Sequence, residues 1–145
     1  DLDDAAHTLG LTLHYAHVVR EADIESAFSN VLQNGVQAIA IATDANFLNW
    51  CEQFIDLTAR AHIPAIFHDR EFATRGGLLS YGASIAEAHR FAGNYAGRIL
   101  KGDKPSDLPV QQSTRLEFVV NLATAKSLGL QIPAGVLAIA DEVIE

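Results

Sequence analysis

Short apolar runs alternate with longer amphipathic segments, and this alternation constrains the fold of the chain more than any other feature. The run VQAIAIA, residues 36–42, has almost no polar residues, which is typical of a central parallel strand buried on both faces. Amphipathic helices are predicted on either side, over 22–34 and 47–61, from apolar residues spaced three and four apart. Such alternation predicts an α/β fold with a mostly parallel sheet between helical layers.

The same patterns predict the remaining elements of a single three-layer α/β/α domain. Ser84 with Glu87 three residues later has the capping-box pattern that starts a helix. The proline-bearing stretch 103–115 is predicted to be a crossover linker. Further strands are predicted at residues 11–19, 64–67, 78–81 and 116–120, and further helices at 1–9, 85–100 and 122–128.

Composition and motifs exclude several classes of function. The formal net charge is −8 and no basic stripe is present, so a nucleic-acid partner is not expected. The only cysteine, Cys51, lies in a helical pattern beside Trp50 and Phe54, and we interpret it as a small core residue. Neither GxGxxG nor GxxxxGK[ST] occurs. We therefore expect no metal and no cofactor.

The sequence also lacks the residue patterns of a catalytic site. His14 and His17 are three apart in a predicted strand, so their side chains are expected on opposite faces rather than around one metal. Ser80 is not flanked by the glycines of a GxSxG nucleophile elbow. We find no nucleophile–base arrangement and expect that the protein is not an enzyme.

Polar residues follow three of the predicted strands, at the carboxyl ends where open α/β sheets bind ligands. They are Thr43, Asp44 and Asn46, then His68, Asp69 and Arg70, and finally the segment 82–84; the stretch EFATRGGLLSYG, residues 71–82, bridges the last two groups. Two plainer interpretations stay open at this point. Asp44 could serve only as a helix N-cap, and residues 68–71 could be a solvated loop with local ion pairs.

Three segments carry a resemblance to a known family. PAIFHDREFATRGGLLSYG, AGRILKGDKPSDLPVQQSTRLEFVVNLATAKSLGLQIP and ADEVIE resemble segments of ABC-transporter substrate-binding proteins, in particular those similar to tryptophan- and tyrosine-uptake binding proteins. The resemblance runs from about Ala5 to the last residue. It implies a fold like the type I periplasmic binding proteins, with this chain as the C-terminal lobe plus a crossover segment.

The resemblance further implies a small-molecule ligand, such as an amino acid, bound in a cleft between two lobes. Arg70 is expected to hold a carboxylate and Asp44 an ammonium group, with aromatic side chains around the rest of the solute. The implied partner is an ABC permease, and the implied location is periplasmic or extracellular, at the membrane through the transporter. The implied ligand-binding residues are Thr43, Asp44, Asn46, Phe47, His68, Asp69, Arg70, Phe72, Ser80 and Tyr81.

The chain also departs from the family pattern. The family often has Tyr-Gly-Phe-Arg-Glu-Phe where this chain has Phe67–Phe72, which leaves the identity of the solute open. The first lobe, and the strand that normally precedes the first helix, are not among these residues. Residues 78–102 are expected to cross back toward that lobe, with Gly76–Gly77 as the turn between lobes.

Two further expectations follow from the missing lobe. The apolar face of Leu78–Gly102 would lack its usual partner, so the chain is expected either to associate with a second copy through that face or to be a trimmed piece of a larger protein. The alternative function is a ligand-sensing domain of a signalling or transcription-regulating protein. Neighbouring genes for a permease and an ATPase, rather than for a kinase or DNA-binding module, would favour transport.

Overall fold

The computed structural model describes residues 2–111 and 115–145 and contains one five-stranded sheet in the order β1-β2-β3-β4-β5. β1 to β3 are parallel, β4 runs antiparallel to β3, and β5 is parallel to β4. The predicted α/β class with a mostly parallel sheet is thus confirmed. The strands are β1 (Ile39–Ile41), β2 (Ala65–Phe67), β3 (Leu79–Ala83), β4 (Leu116–Asn121) and β5 (Glu142–Ile144).

Seven helices of the described residues surround the sheet, on both of its sides. Most lie where apolar spacing predicts them, although the third begins four residues later than expected. They are α1 (Leu2–Leu9), α2 (Ile24–Gln33), α3 (Cys51–Arg60), α4 (Arg70–Thr74), α5 (Ile85–Leu100), α6 (Leu122–Ser127) and α7 (Ala134–Ala138).

The main core forms where β2 meets α2, α3 and α4. Side chains alternate along β2, so Ala65 and Phe67 are buried while Ile66 lies exposed on the opposite face. The Phe67 ring stacks on Phe72 of α4 with centroids 4.6 Å apart. The core cluster consists of Ile24, Cys51, Phe54, Ala65, Phe67 and Phe72.

The prediction of a strand at residues 11–19 is wrong. This segment has no regular secondary structure, and among the described residues no backbone hydrogen bond joins 12–19 to another segment. The position of β1 also differs from the prediction, because it is an edge strand of three residues instead of a central one. Both differences have the same physical reason: a strand needs a neighbouring backbone with which to exchange hydrogen bonds.

The connection from β2 to β3 is more ordered than the sequence indicates. Residues predicted as a loop form α4, which ends at Thr74 and is followed by Gly76 with φ at +113°. The Gly76 carbonyl accepts a hydrogen bond of 2.8 Å from the Thr124 hydroxyl. Gly76 and Gly77 therefore connect α4 to β3 within this one domain, and the prediction that they turn the chain between lobes is wrong.

The longest helix, α5, begins at the predicted cap. The Ser84 hydroxyl accepts from the Glu87 amide at 3.3 Å, and the Ser84 amide donates to the Arg115 carbonyl at 3.0 Å. None of the 16 residues of α5, all of them described, is buried. The stretch after it contains a short 3-10 turn at Pro105–Asp107, and residues 112–114 of the predicted crossover linker lie outside the described residues.

Candidate functional site

The reversed direction of β4 brings sequence-distant residues to one edge of the sheet. The beginnings of β4 and β5 lie beside the carboxyl ends of β1, β2 and β3, because these two groups of strands run in opposite directions. Glu117 pairs with Gly82 in the register of β4 on β3, and Glu142 pairs with Val119 one strand further. This edge, with His68 and Arg70 after β2, is the candidate site.

Arg70 is the central charged residue of this edge. Its Nη2 atom forms a close ion pair with an Oε atom of Glu142, and its Nε atom lies 3.7 Å from Oε2 of Glu117. Glu117 has a second cation on its other side, because Nε of Arg115 lies 3.9 Å from its Oε1 atom. One guanidinium thus connects α4 to both β4 and β5.

His68 is the residue at the carboxyl end of β2. Its ring lies edge-on to Phe72 with centroids 5.4 Å apart, and its buried Nδ1 atom has no hydrogen-bond partner among the described residues. Its carbonyl oxygen faces Gly82 so closely that a Cβ atom on Gly82 would lie 1.7 Å from it. The His68 backbone is consequently held against β3.

Two aspartates order the backbone at this edge through local hydrogen bonds. Asp69 is buried and caps α4, since its Oδ1 atom accepts from the Glu71 amide at 2.8 Å. Asp44 accepts from the Asn46 amide at 2.8 Å and so stabilises the turn that precedes α3. Asp44 therefore caps a turn rather than the helix itself, which begins at Cys51. Within residues 2–111 and 115–145, the hydrogen bond found for this carboxylate engages its Oδ1 atom.

The residues that were predicted to contact a solute through an aromatic ring or a hydroxyl group differ in how deeply they are buried. Phe47 packs against Trp50 and Phe54, with ring centroids 5.9 and 5.1 Å away. Phe72 and Ser80 have no exposed surface, and the Ser80 hydroxyl has no hydrogen-bond partner in the described chain. Direct solute contact by either would require rearrangement.

Tyr81 is half-exposed on the face opposite Ser80, where its ring lies edge-on to Phe118 at 6.2 Å. Thr43 is also exposed, two residues after the end of β1. The structure therefore brings His68, Arg70 and the backbone of Gly82 together, and places Ser80 and Tyr81 on different faces of the sheet.

Sequence reasoning missed Glu117 and Glu142 as residues of this edge. Glu142 is 72 positions from Arg70, and no local pattern connects them. No signal in the sequence could have found them, because a strand followed by a helix and another strand normally forms a parallel crossover, whereas β4 runs antiparallel to β3.

Other kinds of site have no support in the described residues. No three His, Cys, Asp or Glu side chains converge as metal ligands there. No described helix combines the length and the apolar character that crossing a membrane requires. Burial raises the pKa of the Cys51 thiol to about 11, so this side chain is protonated at neutral pH.

Comparison with known proteins identifies a family whose model matches this chain. A family model described as "ABC transporter substrate binding protein" matches residues 2–144. No significant match is found among curated protein sequences.

Solved structures of similar fold come from several bacteria. A conserved domain protein from Vibrio cholerae is 27% identical with a TM-score of 0.87, over 98% of this chain and 48% of that one. An "ABC domain in complex with L-Trp" from Streptococcus pneumoniae is also 27% identical, with a TM-score of 0.85 over 97% and 49%. A ligand-free, open substrate-binding protein from Clostridium difficile, at 20% identity and a TM-score of 0.65 over 99% and 48%, is similar in fold alone. The chain thus spans about half the length of these relatives.

Proposed function

The chain belongs to the ABC transporter substrate-binding protein family, and from this premise we propose that it is part of the substrate-binding component of an ABC-type uptake transporter. The observation that carries the proposal is the convergence of His68, Arg70 and Gly82 at the carboxyl edge of a sheet whose fold matches this family. Open α/β sheets bind small ligands at this edge because backbone ends and loop side chains meet there.

The proposed solute is a small molecule that carries a carboxylate, such as an amino acid. A guanidinium suits this role because its planar N–H donors match both oxygens of a carboxylate. The exposed carboxylate of Asp44 would pair with an ammonium group on the same solute. A Streptococcus pneumoniae relative described in complex with L-Trp supports an amino-acid-like ligand at the level of the family.

A second lobe is the proposed partner of α5 and of the site. The solved relatives are about twice as long as this chain. Ile85 and Ile99 of α5 are 51% and 41% exposed, although they belong to an amphipathic helix whose apolar side should be covered. We propose that the second lobe packs on α5 and closes over Arg70, and that the closed form delivers the solute to a permease outside the cytoplasm.

Binding measurements on a chain that carries both lobes test this function. Thermal-shift screening of the amino acids, followed by calorimetry, should reveal one or a few that stabilise the protein; a ligand at ~100 times its Kd adds ~2.7 kcal/mol. Arg70→Gln and Asp44→Asn should each weaken binding at least tenfold.

The matched control is Arg60→Gln, which removes an exposed guanidinium paired with Asp56 along α3. This variant should bind as tightly as wild type. If no amino acid or other small carboxylate binds to the two-lobe protein, the proposed function is wrong. Binding that is unaffected by Arg70→Gln would instead remove Arg70 from the site and leave the function in place.

A further inference from the structure

The charge of Arg70 is already neutralised in the structure by carboxylates of the same chain. Its guanidinium is ion-paired with Glu142 and lies 3.7 Å from Glu117. A solute carboxylate that binds this guanidinium through Nη2 competes with Glu142 for that atom. The ion pairs therefore bear directly on how Arg70 would bind a solute, and the inference below rests on the proposed function.

The two carboxylates differ in how easily they can move. Glu117 has 18% of its side chain exposed, lies inside β4 with strands on both sides, and is shared between Arg70 and Arg115. Glu142 has 45% of its side chain exposed and begins the short edge strand β5. Exposed ion pairs contribute little to stability, because water solvates the separated charges well. Glu142 is thus the partner that can be exchanged.

We propose that Glu142 is an internal competitor that occupies Arg70 in the empty site and gives it up to the carboxylate of the solute. In this arrangement Glu117 stays in place and keeps the guanidinium oriented, while Glu142 rotates toward water. The exchange conserves the number of ion pairs on Arg70. Glu142 consequently lowers the affinity of Arg70 for every carboxylate and favours those that bind with both oxygens and with additional contacts.

A titration with acetate tests this competition on the 145-residue chain alone. The Nε–Hε resonance of Arg70 is followed by NMR while sodium acetate replaces sodium chloride at constant ionic strength. Glu142→Gln keeps the shape of the side chain and removes its charge, so the apparent Kd for acetate should fall at least fivefold. Glu142→Thr, which suits a strand, repeats the test with a different side chain.

Two controls complete the design. Glu145→Gln removes an exposed carboxylate three residues away in the same part of the chain and should leave the acetate Kd unchanged. Arg70→Gln, monitored through the backbone amides of residues 68–72, should abolish the response to acetate. Equal acetate Kd values for wild type and both Glu142 variants would overturn the proposal, and so would an acetate response that survives Arg70→Gln.

The outcome of the acetate titration does not depend on whether the proposed function is correct. Acetate reports only whether the guanidinium is free, and it needs neither the second lobe nor the natural solute. Failure of the proposed function would appear as absent solute binding by the two-lobe protein, while failure of the competition would appear as unchanged acetate binding in the Glu142 variants.

Discussion

The carbonyl oxygen of His68 lies 1.7 Å from the point where a Cβ atom on residue 82 would be, so the backbones of β2 and β3 approach each other as only glycine permits. Gly82→Ala must push the His68 backbone away from β3. We expect a loss of about 1–3 kcal/mol in the free energy of unfolding, the usual cost of overpacking. Urea denaturation of the isolated chain measures it.

Gly93→Ala is the matched control for this substitution. A Cβ atom on Gly93 would meet no heavy atom within 4 Å, and the residue lies inside α5. Alanine is a better helix former than glycine by about 1 kcal/mol, so this variant should be as stable as wild type or more stable. The close approach would be disproved if the two variants unfolded at the same urea concentration.

Asn121 connects two helices from its position at the end of β4. Its Nδ2 atom donates to the Ala73 carbonyl of α4 at 3.0 Å, and its Oδ1 atom accepts from the Thr124 amide of α6 at 2.9 Å. Because Asn121 is buried, Asn121→Ala should leave the Thr124 amide without a partner and cost about 1–3 kcal/mol, while the Ala73 carbonyl keeps a hydrogen bond of 3.3 Å from the Gly76 amide. Chemical denaturation compares it with Asn94→Ala, an exposed position in α5 that should change stability little. Equal stability of the two variants would contradict this role for Asn121.

Local patterns in the sequence were sufficient for the elements whose stability is local. Apolar spacing located α2 and α5, and the Ser84–Glu87 pattern marked the first turn of α5. The strand predicted at residues 11–19 failed because strand formation also depends on a partner backbone. The apolar pattern of one segment does not show which backbone will pair with it. Residues 36–42 are another example, because their apolar composition is typical of a central strand but β1 lies at the edge of the sheet.

The sequence predicts only part of the candidate site, because the rest depends on how strands distant in sequence pair. Open α/β sheets bind ligands beyond the carboxyl ends of their strands, and this rule indicates residues 43–46 and 68–70, which do lie after β1 and β2. It did not point to Glu117 or Glu142, because their place at the same edge depends on β4 running antiparallel to β3. It also gave no indication that Phe72 and Ser80 are buried, which is decided by the packing of α4.

The burial of Cys51 predicts how its thiol reacts. Its pKa is raised to about 11 because burial disfavours the thiolate, which is the reactive form. We expect the folded chain to resist iodoacetamide at pH 8, where the urea-unfolded chain reacts readily. Cys51 is the only cysteine, so mass spectrometry reads its modification without ambiguity. Rapid labelling of the folded chain at pH 8 would show that this thiol is accessible.

The same pKa shift predicts a dependence of stability on pH. The folded-state pKa of Cys51 lies above its usual value of 9.0, so the unfolded chain loses the proton first as the pH rises. This contribution to stability is complete below pH 9 and is lost as the pH increases toward 11. Cys51→Ala, which has no proton to lose, should show a smaller decrease in unfolding free energy between pH 8 and pH 11 than wild type. Parallel decreases would contradict the shift.

The exposed isoleucines of α5 predict a difference between folding and association. Ile85 and Ile99 are 51% and 41% exposed, so replacing both with lysine should change the free energy of unfolding of the isolated chain by no more than about 0.5 kcal/mol. The same double substitution should reduce association of the chain with a second copy, because it puts charges on the apolar face of the helix. Light scattering after size exclusion, at increasing protein concentration, measures the association.

Ile24→Lys provides the contrast for this prediction. Ile24 is 1% exposed in the core cluster, so a lysine there would bury an unpaired charge and should unfold the chain. A large loss of stability in the Ile85→Lys, Ile99→Lys chain would show that α5 packs against the domain and is not free for a partner. A wild-type chain that stays monomeric at every concentration would leave the second lobe as the partner of α5 and would remove self-association through Leu78–Gly102.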